Sequence, residues 1–411
     1  MNDEPGAGGC TDPPARPTGN AAAVDTPTAR QADADPRPGP ASAARAVTLF
    51  LCGDVMTGRG IDQVLPHPCS PELYEPYVRS AREYVRLAEL AQGPMSVPVD
   101  FSYVWGDAIA EWERQRPAAR IINLETAVTT SDQPAAGKGI HYRMSPRNVA
   151  CLTAARFDVC GLANNHVLDW GPVGLSETLA TLRGAGIGTA GAGTDLAEAT
   201  APAVVALPGG GRILVCAFAF ESSGVPPEWA AAADRPGVNL LGGLSAANAD
   251  AVTELAGAHR QRGDVVVFSL HWGGNWDYQI TDDERAFAHR LIDSGVVDLV
   301  HGHSSHHAKG IEVYRNKLIL YGAGDFLNDY EGIGGYEDFR GDLALMYFPT
   351  VDSDTGQLRR LLMTPTTVRR FRVSLVAPAD VAWLEATLNR ETRKLGSGVE
   401  PLDDTRLMLR W

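Results

Sequence analysis

Residues 46–56 read AVTLFLCGDVM, an apolar run that stops on Gly53-Asp54. Such a run is a buried strand that delivers a carboxylate at its C-terminal end. The pattern recurs. Ile121 to Leu124 leads into Glu125, and Phe157 to Ala163 leads into Asn164-Asn165-His166. Asp264 to Leu270 leads into His271, and Val296 to Val300 leads into His301-Gly302-His303. Between these runs the apolar period changes to that of helices, at 107–116, 145–155, 174–185, 246–262 and 282–294. Short apolar strands alternating with amphipathic helices define an α/β fold with a mainly buried sheet. Polar groups gathered at the carboxyl ends of such strands are where sites form.

Beyond residue 310 the text becomes strand-rich. GIEVY, KLILYGAGDF, DLALMYFPT and LMTPTTVRRFRVSL read as consecutive strands, followed by a helix over 378–393 and a short last strand. Residues 1–45 hold Pro, Ala, Gly, Asp and Thr with almost no large apolar side chain, so they are expected to form a disordered tail. One domain is expected over 46–411. Within it 67–101 reads as an insertion, with a helix over 72–92, placed to act as a lid. The turn Gly191-Ala192-Gly193-Thr194 lacks the lysine of a phosphate loop and reads as a strand-to-helix turn capped by Thr194.

The chain has 411 residues, 44% of them hydrophobic, which excludes wholesale disorder. Its 36 Lys and Arg against 50 Asp and Glu give a formal charge of −14, the wrong sign for a nucleic-acid partner. No apolar run reaches the ~20 residues of a membrane helix. The N-terminus lacks the pattern of a secretory signal, so a cytoplasmic location and no membrane partner are expected. The six cysteines form no C-x-x-C pair and read as reduced thiols without a catalytic part.

Six of the ten histidines fall between residues 271 and 307. Placement matters more than number. Asp54, Glu125, Asn165, His166, His271, His303 and His306 each follow a strand or sit in the turn just after one. Carboxylates, an amide oxygen and imidazoles of this kind suit a divalent cation. Asp54, Glu125, Asn165, His271, His303 and His306 are therefore the candidate ligands.

The stretches LCGDVMTGRGIDQ (51–63), INLETAVT (122–129), LANNHVLDWG (162–171), TAGAGTDLAEA (189–199), LHWGGNWDY (270–278) and VHGHSSHHAKGIEVYRNKLILYGAGDFLND (300–329) carry a family resemblance. In that order they resemble the CapA-type proteins named for poly-γ-glutamate capsule synthesis, of the calcineurin-like metallophosphatase superfamily. The resemblance implies a four-layer α/β/β/α sandwich with a metal centre at one sheet edge. It places the six candidate ligands at metal positions and His166 at the acid–base histidine.

Two departures bear on the chemistry. Metallophosphatases commonly open with Asp-x-His, where this chain has Asp54-Val55-Met56, and Glu125 stands where a bridging Asp is usual. One hard cation, Ca²⁺ or Mg²⁺, is therefore expected rather than a two-metal clamp, with Mn²⁺ and Zn²⁺ open. The missing anchor and the altered motif resemble a soluble branch of the family that includes a lasso-peptide epimerase. That branch implies a peptide substrate and inversion at Cα by His/Asp acid–base pairs. A metallohydrolase or amide-bond enzyme of poly-γ-glutamate, or a phosphoesterase, is the alternative. Candidate catalytic groups are Asp54, His166, Asp169, His271, His303, His306 and Asp325, the last equally readable as a turn cap. Arg59, Arg143 and Lys138 are candidates to bind a substrate carboxylate, the arginines by a bidentate fork, and Trp170, Trp272 and Trp276 to line a pocket. The oligomeric state stays open.

Overall fold

The computed structural model describes residues 46–208 and 210–411, so the tail expected over 1–45 lies outside the described residues. Two large sheets organise them, of eleven and seven strands. In the larger one, Ala46–Cys52, Ala119–Leu124, Val159–Gly161 and Gly188–Ala190 run parallel. On the other side of Ala46–Cys52 the sheet turns antiparallel through Leu343–Asp352, Leu358–Arg369, Arg406–Arg410 and Gly398–Asp403. The smaller sheet centres on the parallel strands Arg212–Phe220, Val265–His271, Leu299–His303 and Lys317–Leu320. The fold is thus α/β, with a longer antiparallel half than the strand–helix alternation suggests.

Period-two patterning places the core. Ile213, Val215, Ala217 and Ala219 join one apolar cluster with Leu49, Ile121 and Val159 of the larger sheet. The alternating Leu214, Cys216, Phe218 and Phe220 join a second cluster with Ala249 and Val252, and with Phe287 and Leu291. Those partners come from the helices Ala246–His259 and Asp282–Asp293. The smaller sheet therefore buries both faces, one against the larger sheet and one against helices. Helix Asp282–Asp293 starts in a capping box, Thr281 with Glu284, and carries three acidic residues in its first turn where the helix dipole favours them. Each large side chain on its buried face is worth roughly 1.5–3 kcal/mol.

Three expectations are corrected. KLILYGAGDF is not one strand: Lys317–Leu320 belongs to the smaller sheet and Asp325–Leu327 to the larger. The chain crosses between sheets at Gly322-Ala323-Gly324, where Gly324 holds φ +83°, a conformation that costs glycine little. The helix expected over 72–92 begins only at Arg82, because residues 72 and 80 first pair in a short bridge around Pro76. The cap at 194–195 is Asp195, whose side chain accepts the amide of Glu198, not Thr194.

Gly53 decides how the site is reached. Past it, Asp54–Val55 continues the first strand but exchanges its neighbour Leu343–Asp352 for Asp325–Leu327. The amide of Asp54 donates to the carbonyl of Gly324 at 2.9 Å, and a Cβ on Gly53 would run into that same carbonyl. Gly53→Ala is expected to destabilise the protein by roughly 3 kcal/mol, since backbone rather than a flexible side chain must move. Gly184→Ala, at a helix end with open space around it, should leave stability within about 1 kcal/mol of wild type. Denaturant unfolding of both variants checks the contrast.

Candidate metal centre

Register alone brings the polar strand ends together. Asp54 pairs with Asn123 and with Asp325, and Asn123 pairs with Gly161, in the larger sheet. His271 pairs with His303 in the smaller one. The two sheets are tied beside this point by His301, whose Nε2 donates to the carbonyl of Cys52 at 2.7 Å. All these groups are buried.

At the centre, ligand atoms of Asp54, His271 and His303 lie within 4.8 Å of one another. The Nδ1 atoms of His271 and His303 are 2.8 Å apart, and His303 Nδ1 is 3.5 Å from Asp54 Oδ1. Asp54 Oδ1 accepts from Asn123 Nδ2 at 2.7 Å, and Oδ2 accepts the amide of Ser304 at 3.0 Å. His271 Nε2 faces Asn165 Oδ1 at 3.0 Å. An amide oxygen only accepts, so the His271 proton sits on Nε2 and Nδ1 is bare. His303 Nε2 meets Ser269 Oγ at 2.7 Å, and a hydroxyl can donate or accept. When Ser269 accepts, both Nδ1 atoms turn bare toward Asp54.

The charges fit the same reading. Burial, then the charge of Asp325, pushes Asp54 up to about 7. Burial, then Asp54 and Asp325, pushes Glu125 well above the carboxylate range. Burial, then the surrounding imidazoles, lowers His271 and His303 well below the usual histidine value, which favours the neutral form of both. Three buried carboxylates beside two neutral imidazoles form a donor set for a divalent cation. Glu125 Oε1 stands 3.9 Å from His271 Nε2, on the Asn165 side. His306, also expected as a ligand, puts Nδ1 on Asp325 at 3.0 and 3.1 Å and borders a neighbouring cavity. Met56, where an imidazole is usual, is buried, and its Sδ accepts the Gly58 amide at 3.2 Å.

Two His/Asp pairs flank the centre. His166 Nδ1 is 2.6 Å from Asp169 Oδ2, and Lys138 also bonds Asp169 and the Asn165 carbonyl. Burial, reinforced by Lys138 and opposed by Asp169, pushes His166 down to about 4. Its Nε2 lies 3.7 Å from Glu125 Oε1, and its ring stacks on Tyr142 with centroids 3.8 Å apart. Asn164 anchors this loop. It donates to Asn123 Oδ1 and the Leu124 carbonyl, and accepts the amides of His166 and Val167. In the second pair, burial lowers the His306 value, but Asp325 outweighs it and raises His306 above the usual value.

The cavity beside His306 and Asp325 has a volume of about 450 Å³. Trp276 lines it, stacked on Tyr336 with centroids 4.2 Å apart. The other aromatic candidates do not line it. Trp170 and Trp272 are buried pillars whose Nε1 atoms donate to the carbonyls of Tyr142 and Tyr321. The arginines are also engaged. Arg59 binds Asp329 through two nitrogens, and Glu75 and Tyr84 at 2.9 Å each. Arg143 stacks on Trp170 and donates to the carbonyls of Ser131 and Ser70. Both order loops rather than offer a free fork.

Sequence reasoning missed Asn123, Ser269, Tyr142 and Tyr330. Tyr142 and Tyr330 share a 2.6 Å hydroxyl contact across 188 positions, and no local pattern marks either. Asn123 had a signal, being the last polar residue of its strand before Glu125. Five cysteines among the described residues are free thiols, as expected. No helix of the described residues is long and apolar enough to cross a membrane.

Similar proteins place the chain in a family. The family described as bacterial capsule synthesis protein PGA_cap matches residues 48–330. A probable polyglutamine synthesis accessory protein of Mycobacterium tuberculosis (strain ATCC 25618 / H37Rv) is 48% identical over 364 residues, 88% of this chain and 95% of the relative. The PGA biosynthesis protein CapA of Bacillus subtilis (strain 168) is 28% identical over 286 residues, 69% of this chain and 70% of the relative. The capsule biosynthesis protein CapA of Bacillus anthracis is 28% identical over 292 residues, 69% of this chain and 60% of the relative. The match to two thirds of the sequence, with the buried donor set inside it, leads to one conclusion: the chain belongs to the bacterial capsule synthesis protein family, PGA_cap.

Proposed function

We propose that this protein is a metal-dependent enzyme that cleaves or transfers amide bonds of a capsule-type glutamyl polymer. The carrying observation is the convergence of Asp54, His271 and His303 between two His/Asp pairs. The names of the relatives, which concern polyglutamine and capsule synthesis, support the polymer. They lend no support to the epimerase expected from the soluble branch. The pairing of two sheets over one core, with helices against the smaller sheet, supports the four-layer sandwich implied by the family resemblance.

Asp54, His271 and His303 would hold the cation, with Glu125 and Asn165 on the Nε2 side of His271. When bound, it supplies positive charge for the carbonyl oxygen of the scissile amide. The chain's own residues do the proton work. His166 is neutral near neutral pH, and its Nδ1–H is fixed on Asp169, so its Nε2 is bare to accept a proton from the attacking nucleophile. His306, held by Asp325, borders the cavity and returns a proton to the leaving amine as the C–N bond breaks. The Met56 side chain removes the imidazole that a second cation would use, which favours a single ion.

Metal analysis of purified protein is expected to give one divalent ion per chain, and Asp54→Asn and His303→Ala to lose it. Proton and cation compete at Asp54, whose value is about 7. Below that pH the carboxyl is protonated and cannot ligate, so affinity falls as pH drops, by about tenfold per unit. Titration of one metal at about pH 8 and pH 6 checks the sign. His166→Ala should lower kcat roughly 10²- to 10⁴-fold with metal content unchanged. The direct test incubates the metal-loaded protein with glutamyl polymers in D₂O and reads chain length and deuterium by mass spectrometry. New amine ends are the expected result. Deuterium at Cα in chains of unchanged length would point to epimerisation and sink the reading, as would phosphate release without cleavage.

A further inference from the structure

The wall of the cavity beside His306 carries a pair of hydroxyls that the proton work leaves unused. Tyr142 Oη and Tyr330 Oη are 2.6 Å apart, and both residues line the cavity together with His306 and Asp325. Each tyrosine rests on one of the two working histidines. The Tyr142 ring stacks on His166, and the Tyr330 ring stands edge-on to His306 with centroids 5.7 Å apart. Each is also tied to the carboxylate that holds its histidine. The amide of Tyr142 donates to Asp169 Oδ2 at 2.6 Å. The amide of Tyr330 donates to Asn328 Oδ1 at 3.2 Å, and Asn328 Nδ2 donates to Asp325 Oδ2 at 2.8 Å.

Two hydroxyls in one contact bring two protons and use one. Whichever oxygen donates, the proton of the other has no acceptor among the described residues. Asp325 holds His306 and Asn328 and takes no part in the pair. Burial pushes both phenols above their ordinary value, so neither proton is lost near neutral pH. The Arg59 guanidinium lies over both rings, its carbon 4.7 Å from the Tyr142 centroid and 5.7 Å from that of Tyr330. Its nitrogens are engaged by Asp329, Glu75 and Tyr84, but its charge draws density from the two rings and strengthens their O–H groups as donors. The hydroxyl that accepts within the pair also becomes the stronger donor for the next bond.

We propose that the Tyr142–Tyr330 hydroxyl pair donates its spare O–H to the carbonyl oxygen of the substrate and stabilises the negative charge that builds there during attack. The assignment rests on the amide-bond reading and adds two catalytic residues to it. The proton is shared and stays on the phenol, while His166 and His306 carry the protons that move. A donor fixed in place before the reaction needs no reorganisation when the charge appears.

Phenylalanine substitutions test this, because they remove the hydroxyls and keep the rings. In Tyr142→Phe or Tyr330→Phe the surviving hydroxyl is still free to donate, so kcat on a six-residue γ-linked glutamyl oligomer should fall less than about tenfold. The double variant has no donor, and its kcat should fall roughly 10²- to 10³-fold, with KM, metal content and unfolding midpoint near wild type. A pair that only ties two loops together would instead lower the unfolding midpoint and leave kcat of the folded protein in place. Acetohydroxamate, a small carbonyl compound that chelates divalent ions, gives a second readout that needs no turnover. Calorimetry on full-length Mn²⁺-loaded protein should show it bound about tenfold more weakly by the double variant, and nearly as well by each single variant as by wild type. Double-variant turnover or hydroxamate affinity within about threefold of wild type would overturn the assignment, as would single variants as damaged as the double. Weakened hydroxamate binding without oligomer cleavage by wild type would keep the hydroxyl donor and remove the amide-bond reading. Cleavage untouched in the double variant would do the opposite. A wild type that neither cleaves the oligomer nor binds the hydroxamate would remove both.

Discussion

Three carboxylates crowded into a dry space govern this structure. Asp54, Glu125 and Asp325 are each buried, and burial with mutual repulsion raises both Asp54 and Glu125. Separate backbone elements force them together. Asp54 and Asp325 are register partners on adjacent strands, and Glu125 follows the strand on the other side of Asp54. Such a cluster is costly unless protonated or met by a cation. The surrounding residues are built for the second outcome. Neutral imidazoles converge on Asp54, and Asn123, Asn165, Ser269 and Ser304 fix the orientation of each donor.

That geometry needs two sheets whose carboxyl ends meet, and small features hold them there. Gly53 lets Asp54 pass close to Gly324, and Gly324 lets the chain leave one sheet for the other. His301 reaches from the smaller sheet to the Cys52 carbonyl one residue before Gly53. Around this seam the loops are locked by buried charge. Arg59, itself at φ +44°, is held by Asp329 and Glu75 and stacks on Tyr84. Removing one partner of such a network would strand the others without water, a cost of roughly 3–5 kcal/mol.

Much of this was legible in the sequence, because strand ends announce themselves. An apolar run that stops on Asp, Asn or His marks both the element and the group it delivers, so Asp54, Glu125, Asn165, His271 and His303 could be named as a set. What stayed hidden depends on partners far along the chain. Arg59 looks like a free fork until Asp329, 270 positions away, closes it. Trp170 and Trp272 read as pocket walls beside site motifs, but their ring N–H groups point to buried carbonyls. The run KLILYGAGDF reads as one strand, but the chain changes sheets between Leu320 and Asp325, with Gly324 at positive φ. His306 follows the same strand as His303, and its pairing with Asp325, 19 positions on, carries no local mark.

The central claim is that Asp54, His271 and His303 share one divalent ion. Anomalous diffraction from crystals soaked in Mn²⁺ addresses it directly. The account predicts a single strong peak among Asp54 Oδ1 and the two Nδ1 atoms, with the imidazoles parted to admit the ion. A map with no peak there and the His271–His303 contact intact, or a peak held only by other residues, would contradict it.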